Sequence, residues 1–233
     1  MENNVIYSGQ FKSWFGDWQN GADCSKVVDQ NGAPLVVYHG SPSEFNEFKS
    51  EFMGQTGTAG GQGFYFTSDE DQARGFGNTK SFYLNIRKPL SFTDITMSLN
   101  DFIKFLDNVD KAQVAKDPDF GYGVLSDYGD VDTYGRYKVL RQAGEMEMDS
   151  ATSDVELVGS VINASGDYDL AVNVLRNTLG YDGVILEDRG VYIVHHANQI
   201  KSVGNTAFTA SNNFNESKKI VYITESQLKR LLK

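Results

Sequence analysis

Cysteine occurs once in this chain of 233 residues, at Cys24, which excludes an internal disulfide and any thiolate cluster with metal-ligand spacing. A lone thiol reads as a small buried or idle group, and it fits a reducing compartment. Histidine is scarce as well, with three copies. Two of them, His195 and His196, are neighbours; on a strand they point to opposite faces and cannot chelate one ion together, so no metal is expected. Basic residues are in deficit, 21 Lys plus Arg against 31 Asp plus Glu, and a net charge of −10 repels a phosphate backbone. Nucleic acid is therefore a poor partner, with the basic tail Lys229, Arg230 and Lys233 as the one local counterweight. No run approaches the roughly 18 apolar residues of a membrane span, and MENNVIYSGQ has neither the basic nor the apolar region of a leader. The expectation is a soluble cytoplasmic protein with no membrane partner.

Aromatic residues are plentiful. With 12 Tyr, 15 Phe and 40% hydrophobic residues the body is globular, not disordered. Both tryptophans fall in residues 11–20, FKSWFGDWQN, which read as a helical clasp docking its rings on the body. In KVVDQNGAPLVVYHG the turn signal Gln30-Asn31-Gly32 predicts a hairpin whose second strand delivers His39 at its end. Residues 53–63 are too glycine-rich for helix or strand and lead as a loop into Phe64-Tyr65-Phe66-Thr67. Ser68 is the expected N-cap of a short helix that carries the chain to Phe76. Residues 81–92 read as a strand broken by Pro89.

Helical spacing dominates from about 94 to 180, with LNDFIKFLDNV and DLAVNVLRNTLG as amphipathic runs and Gly180 as a C-cap. Between them lies an irregular acidic stretch, so about 94–160 is taken as an insertion. YDGVILEDRGVYIVHH gives two strands around the turn Asp188-Arg189-Gly190. After Gln199 apolar periodicity fades: 1–204 is the expected domain, 205–219 a linker and 220–233 a strand-helix tail with a capping box at Thr224 and Gln227. No phosphate-cradling glycine motif has the right context, because Gly60-Gly61-Gln62-Gly63 enters a strand and does not open a helix.

Three pieces in order carry the chemistry: His39-Gly40-Ser41 at a strand end, Gly61-Gln62-Gly63-Phe64-Tyr65-Phe66-Thr67, and the late strand Tyr192-Ile193-Val194. Together they resemble the ADP-ribosyltransferase superfamily, in the branch of diphtheria toxin and the poly(ADP-ribose) polymerases. FKSWFGDW, SKVVDQNGAPLVVYHG, YLNIRKPL, GYDGVI and NQIKS bring the resemblance closest to transferase domains of phage and mobile-element polyvalent proteins. The fold so implied is α+β, with split antiparallel β-sheets, surrounding helices and a helical insertion.

The resemblance implies NAD as substrate. His39 would hold ribose hydroxyls, the backbone of Gly40, beside Ser41, the nicotinamide amide, and Tyr65 and Phe76 the two faces of the ring. A flat cation over an aromatic face gains on the order of 0.5–2 kcal/mol. Where the family usually has a glutamate this chain has Val191, as mono-ADP-ribosyltransferase relatives also have an apolar residue; Glu187 and Gln199 are the local substitutes to test. The implied activity is mono-ADP-ribosylation of a protein acceptor, a host component if the chain is phage-encoded, in the host cytoplasm or after packaging in a virion. The alternatives are NAD hydrolysis and a catalytically inactive binding module.

Overall fold

In the computed structural model the described residues are 4–21, 23–53, 63–91, 99–117 and 165–216. The apolar run before His39 becomes strand β1 (Val37–Ser41), which pairs antiparallel with β3 (Asn78–Leu84) from Val37–Phe82 through Ser41–Asn78. On its other side β1 meets β2 (Phe64–Thr67) at the single pair Tyr38–Thr67. Strand β2 pairs along its whole length with β6 (Val191–Val194), and β6 with β5 (Gly183–Leu186). Strands β4 (Pro89–Ser91) and β7 (Ile200–Ser202) close the edges, giving the order β4-β5-β6-β2-β1-β3-β7. The sheet thus consists of two well-paired halves joined at a one-pair seam, the split that the family resemblance implies. One pairing departs from it, since β4 runs parallel to β5. A parallel return needs a long crossover, and the helices between these strands supply it.

Those helices are α3 (Leu99–Lys116) and α4 (Tyr168–Leu179), numbered after α1 (Gly9–Phe15) and α2 (Glu70–Arg74). Phe102, Phe105 and Leu106 of α3 interlock with Ala171, Val172 and Leu175 of α4 over Val184, Leu186 and Ile193 of the sheet. Gly180 ends α4 in the left-handed region, φ 69°, as its position in the sequence predicts. The opposite face of the sheet is aromatic, with Phe48, Phe64, Phe66, Phe82 and Phe214 in one cluster. The clasp also forms: Phe11, Trp14 and Phe15 of α1 are buried against Tyr83 and Phe208.

Three local expectations need correction. Asp69, not Ser68, caps α2, accepting from the amides of Asp71 and Gln72; a carboxylate one residue nearer the helix reaches both. The hairpin at Asn31 forms around Asp29 Oδ1 but is short: the amide of Asp29 donates to the carbonyl of Ala33 and that of Leu35 to the carbonyl of Val27 about the bridge Val28–Pro34, and before it the amide of Lys26 turns away to the carbonyl of Ile86. Strand β1 therefore finds its partners in β3 and β2. Finally, residues 205–216 of the expected linker are packed: Phe208 fills the clasp cluster and Phe214 is fully buried among Phe45, Phe48 and Phe82. Buried Lys201 ties this strap down, donating to the carbonyls of Ser211 and Asn213 at 2.8 Å each and facing Glu216 at 3.2 Å. The tail 220–233, the glycine-rich loop 54–62 and most of the insertion, 118–164, lie outside the described residues.

If the strap belongs to the folded unit, Phe214→Ala costs about 3–5 kcal/mol in urea-induced unfolding, the range for emptying a buried phenylalanine site. A change indistinguishable from zero would show that the strap is dispensable.

Candidate functional site

His39 sits where the two halves of the sheet part. Its Nδ1 lies 2.8 Å from the carbonyl oxygen of Tyr65. A carbonyl only accepts, so Nδ1 carries the proton and the neutral ring presents Nε2 as an acceptor. Ladder alternation explains why the contact matters. The carbonyl of Ser81 accepts from Val203 on the β7 side, so Tyr38 and Gly40 direct their backbone groups away from β3 and toward β2. At Tyr38 they meet Thr67. At Gly40 the carbonyl that would answer, that of Tyr65, is engaged by His39. Among the described residues the ladder gives Gly40 no partner on β2, and β1 and β2 part there as a wedge.

Each wall of the wedge has its own chemistry. The imidazole of His39 lies on the aromatic face, with ring centroids 5.0 Å from Phe48, 5.4 Å from Phe66 and 5.8 Å from Phe45. Tyr65 alternates to the other face, half-buried against the helix-covered cluster. His39 and Tyr65 are thus joined through a backbone carbonyl, their rings on opposite sides of the sheet. Gly40 is squeezed under α2: a Cβ there would stand 1.8 Å from the carbonyl oxygen of Ala73 and 3.1 Å from Cβ of Phe76. Only glycine lets α2 lie this close, which brings Phe76, 57% exposed, over the backbone of residue 40. The Ser41 hydroxyl is used locally, donating to the carbonyl of Ser43 at 3.0 Å.

The remaining candidates separate. Val191 pairs with Thr67 on the Tyr65 face. Glu187 is exposed on the short 3-10 turn that follows β5, and its charge, after burial, raises the Tyr192 phenol above its ordinary pKa. Tyr192 pairs with Phe66, so that influence reaches the His39 side of the sheet. Gln199 is buried and saturated: its oxygen accepts from the amides of His195 and His196, and its nitrogen donates to the carbonyls of Asn85 and Asp182. Asn85 is five residues along from the Lys80 that pairs with His39, roughly 16 Å at strand rise. Gln199 is therefore a brace, and the structure does not bring it to His39.

Several residues around the wedge carry no motif. Phe45 and Phe48 form two sides of the imidazole's cage, and SEFNEFKS offers only their three-residue spacing as a signal. Thr67 donates to the side-chain oxygen of Gln72 at 2.5 Å beside Val191. Lys80 bridges to Glu44 at 2.7 Å and lies 4.9 Å over the ring of Phe45, pinning the loop after Ser41.

A mixed sheet split at a histidine, with a glycine backbone open in the split and aromatics beside it, has the form of the ADP-ribosyltransferase fold. The model of the family "ADP-Ribosyltransferase in polyvalent proteins" matches residues 29–210, and the chain belongs to that family. No curated protein matches the chain. Among solved structures the chain is similar to one titled "Crystal structure of an anti-CRISPR protein", at 16% identity and a TM-score of 0.28, covering 69% of this chain and 89% of that one.

Burial lowers the His39 pKa below its ordinary 6.5, outweighing the opposite effect of the Tyr65 hydrogen bond. The folded state then binds fewer protons than the unfolded chain, so this contribution to stability is present above 6.5 and fades as pH falls through the folded value. Nitrogen-detected NMR of the imidazole is expected to give a neutral Nδ1–H tautomer at pH 7 with a midpoint below 6.5; a midpoint above that value contradicts the buried cage.

Proposed function

We propose that this chain cleaves NAD and transfers single ADP-ribose units to a protein acceptor. The observation that carries the reading is the open wedge at Gly40. A nicotinamide carboxamide sets an N–H donor of its NH2 group beside its carbonyl acceptor, which suits a backbone C=O and N–H left without partners on β2. With the amide there, the pyridinium lies on the Tyr65 and Phe76 side, and the ribose reaches across the strand ends to the acceptor Nε2 of His39. The glycosidic bond breaks with its electron pair going to the ring nitrogen, so nicotinamide leaves neutral and needs no general acid. The ribose carbon becomes oxocarbenium-like, and the acceptor nucleophile bonds to it as its proton is lost. Positioning and electrostatics can carry such a step.

Val191 supports single transfer over chain extension, because no carboxylate stands at that position to polarise the ribose hydroxyl for a further round. Glu187 is the nearby candidate for a partial substitute, as its charge already reaches Tyr192. The net charge of −10 favours a protein acceptor over nucleic acid. Membership of a polyvalent-protein family supports a mobile-element effector acting on a host component in the host cytoplasm, with virion packaging as the delivery route. Val191 also supports a second reading, a module that binds NAD without turnover; hydrolysis to free ADP-ribose is the variant in which water is the acceptor.

Incubation of the full chain with labelled NAD and host lysate is expected to label protein bands that vanish in His39→Ala. Saturable NAD binding with neither labelled bands nor nicotinamide release would favour the inactive module, and free ADP-ribose alone would favour hydrolysis. In the same assay Glu187→Ala is expected to slow nicotinamide release by about tenfold or more; unchanged turnover would remove Glu187 from the reaction.

A further inference from the structure

A second recess lies at the other end of β3, where Gln199 braces Asn85. It has a volume of about 460 Å³ and is walled by Trp14, Phe208, Arg87, Arg176, Ser13 and Asn198. The walls are fixed. Trp14 Nε1 donates to the carbonyl of Asn198 at 3.1 Å, and Arg87 reaches the carbonyl of Trp14 at 2.9 Å, Asn85 at 3.2 Å and Asp23 at 3.2 Å. The two rings lie 5.6 Å apart and give the recess an apolar side.

Two guanidinium groups and one carboxylate line the recess. Asp182 is the acid among the lining residues, and both its oxygens already accept from the amides of Arg87 and Lys88 at 2.8 Å. Arg176, on the exposed side of α4, acts on Asp182 through its charge and has no hydrogen bond on its guanidinium among the described residues, and Arg87, paired with Asp23, keeps N–H groups beyond its three contacts. The Ser13 hydroxyl and Asn198 amide add donors at the rim. Guanidinium forks match the paired oxygens of phosphate and carboxylate groups, and the aromatic wall suits a flat or apolar neighbour.

We propose that this recess binds a small ligand carrying an oxyanion beside an aromatic portion, independently of the wedge at His39. The test is calorimetric titration of the full chain with inorganic phosphate, adenosine monophosphate and benzoate at constant ionic strength. The nucleotide or benzoate is expected to bind at one site per chain more tightly than phosphate alone, which separates a phosphoryl ligand from a carboxylate one. Arg176→Glu, on the exposed side of α4, is expected to weaken that binding by about tenfold or more. His39→Ala is expected to leave it unchanged, which separates the recess from the NAD wedge. Absence of saturable binding by all three anions, unaltered affinity in Arg176→Glu, or loss of binding in His39→Ala would each overturn the proposal.

Discussion

One hydrogen bond, from the Nδ1–H of His39 to the carbonyl of Tyr65, keeps the two halves of the sheet from closing. In an ordinary antiparallel ladder that carbonyl would face the amide of Gly40, and β1 and β2 would zip together. With the side chain in its place the ladder stops after Tyr38–Thr67. The same bond fixes the tautomer of the ring, so an acceptor nitrogen is presented on one side and, on the other, the Gly40 backbone, which has no ladder partner on β2 among the described residues. Structure and chemistry are coupled through a single proton.

The surroundings make sense as support for that arrangement. A buried imidazole is costly when charged, and the cage of Phe45, Phe48 and Phe66 keeps it neutral and oriented. Phe214 packs behind two of these rings, and Lys201 and Glu216 hold the strap that carries it. On the other face Gly40 admits α2 to a distance that no side chain would allow, so Phe76 comes to lie over the wedge. Remote parts of the chain thus converge on one small gap.

Much of this was legible in the sequence. The strand that carries His39, the Phe64-Tyr65-Phe66-Thr67 strand, the helix closed by Gly180 and the clasp of Phe11, Trp14 and Phe15 all follow from local pattern, and each forms, although β1 runs on past His39 to Ser41. What local pattern does not encode is pairing. The turn at Asn31 predicts a hairpin, yet β1 pairs with residues some forty positions away because Phe82 and Leu84 share its buried face. Phe208 and Phe214 hide in a stretch with no period, since each fills a different cluster. The family motif points to His39, Gly40 and Tyr65. It does not reveal that the two rings lie on opposite faces, a consequence of strand alternation and register. Gln199 looks like a functional polar residue in sequence; only its four hydrogen bonds identify it as a brace.

The seat of the nicotinamide amide is the point on which the functional account turns, and amide NMR of the chain titrated with nicotinamide alone addresses it most directly. The account predicts that the Gly40 N–H shows the largest downfield shift, with smaller ring-current shifts at Tyr65 and Phe76. Shifts that leave Gly40 unmoved and gather elsewhere, around Trp14 and Arg87 for example, would contradict it.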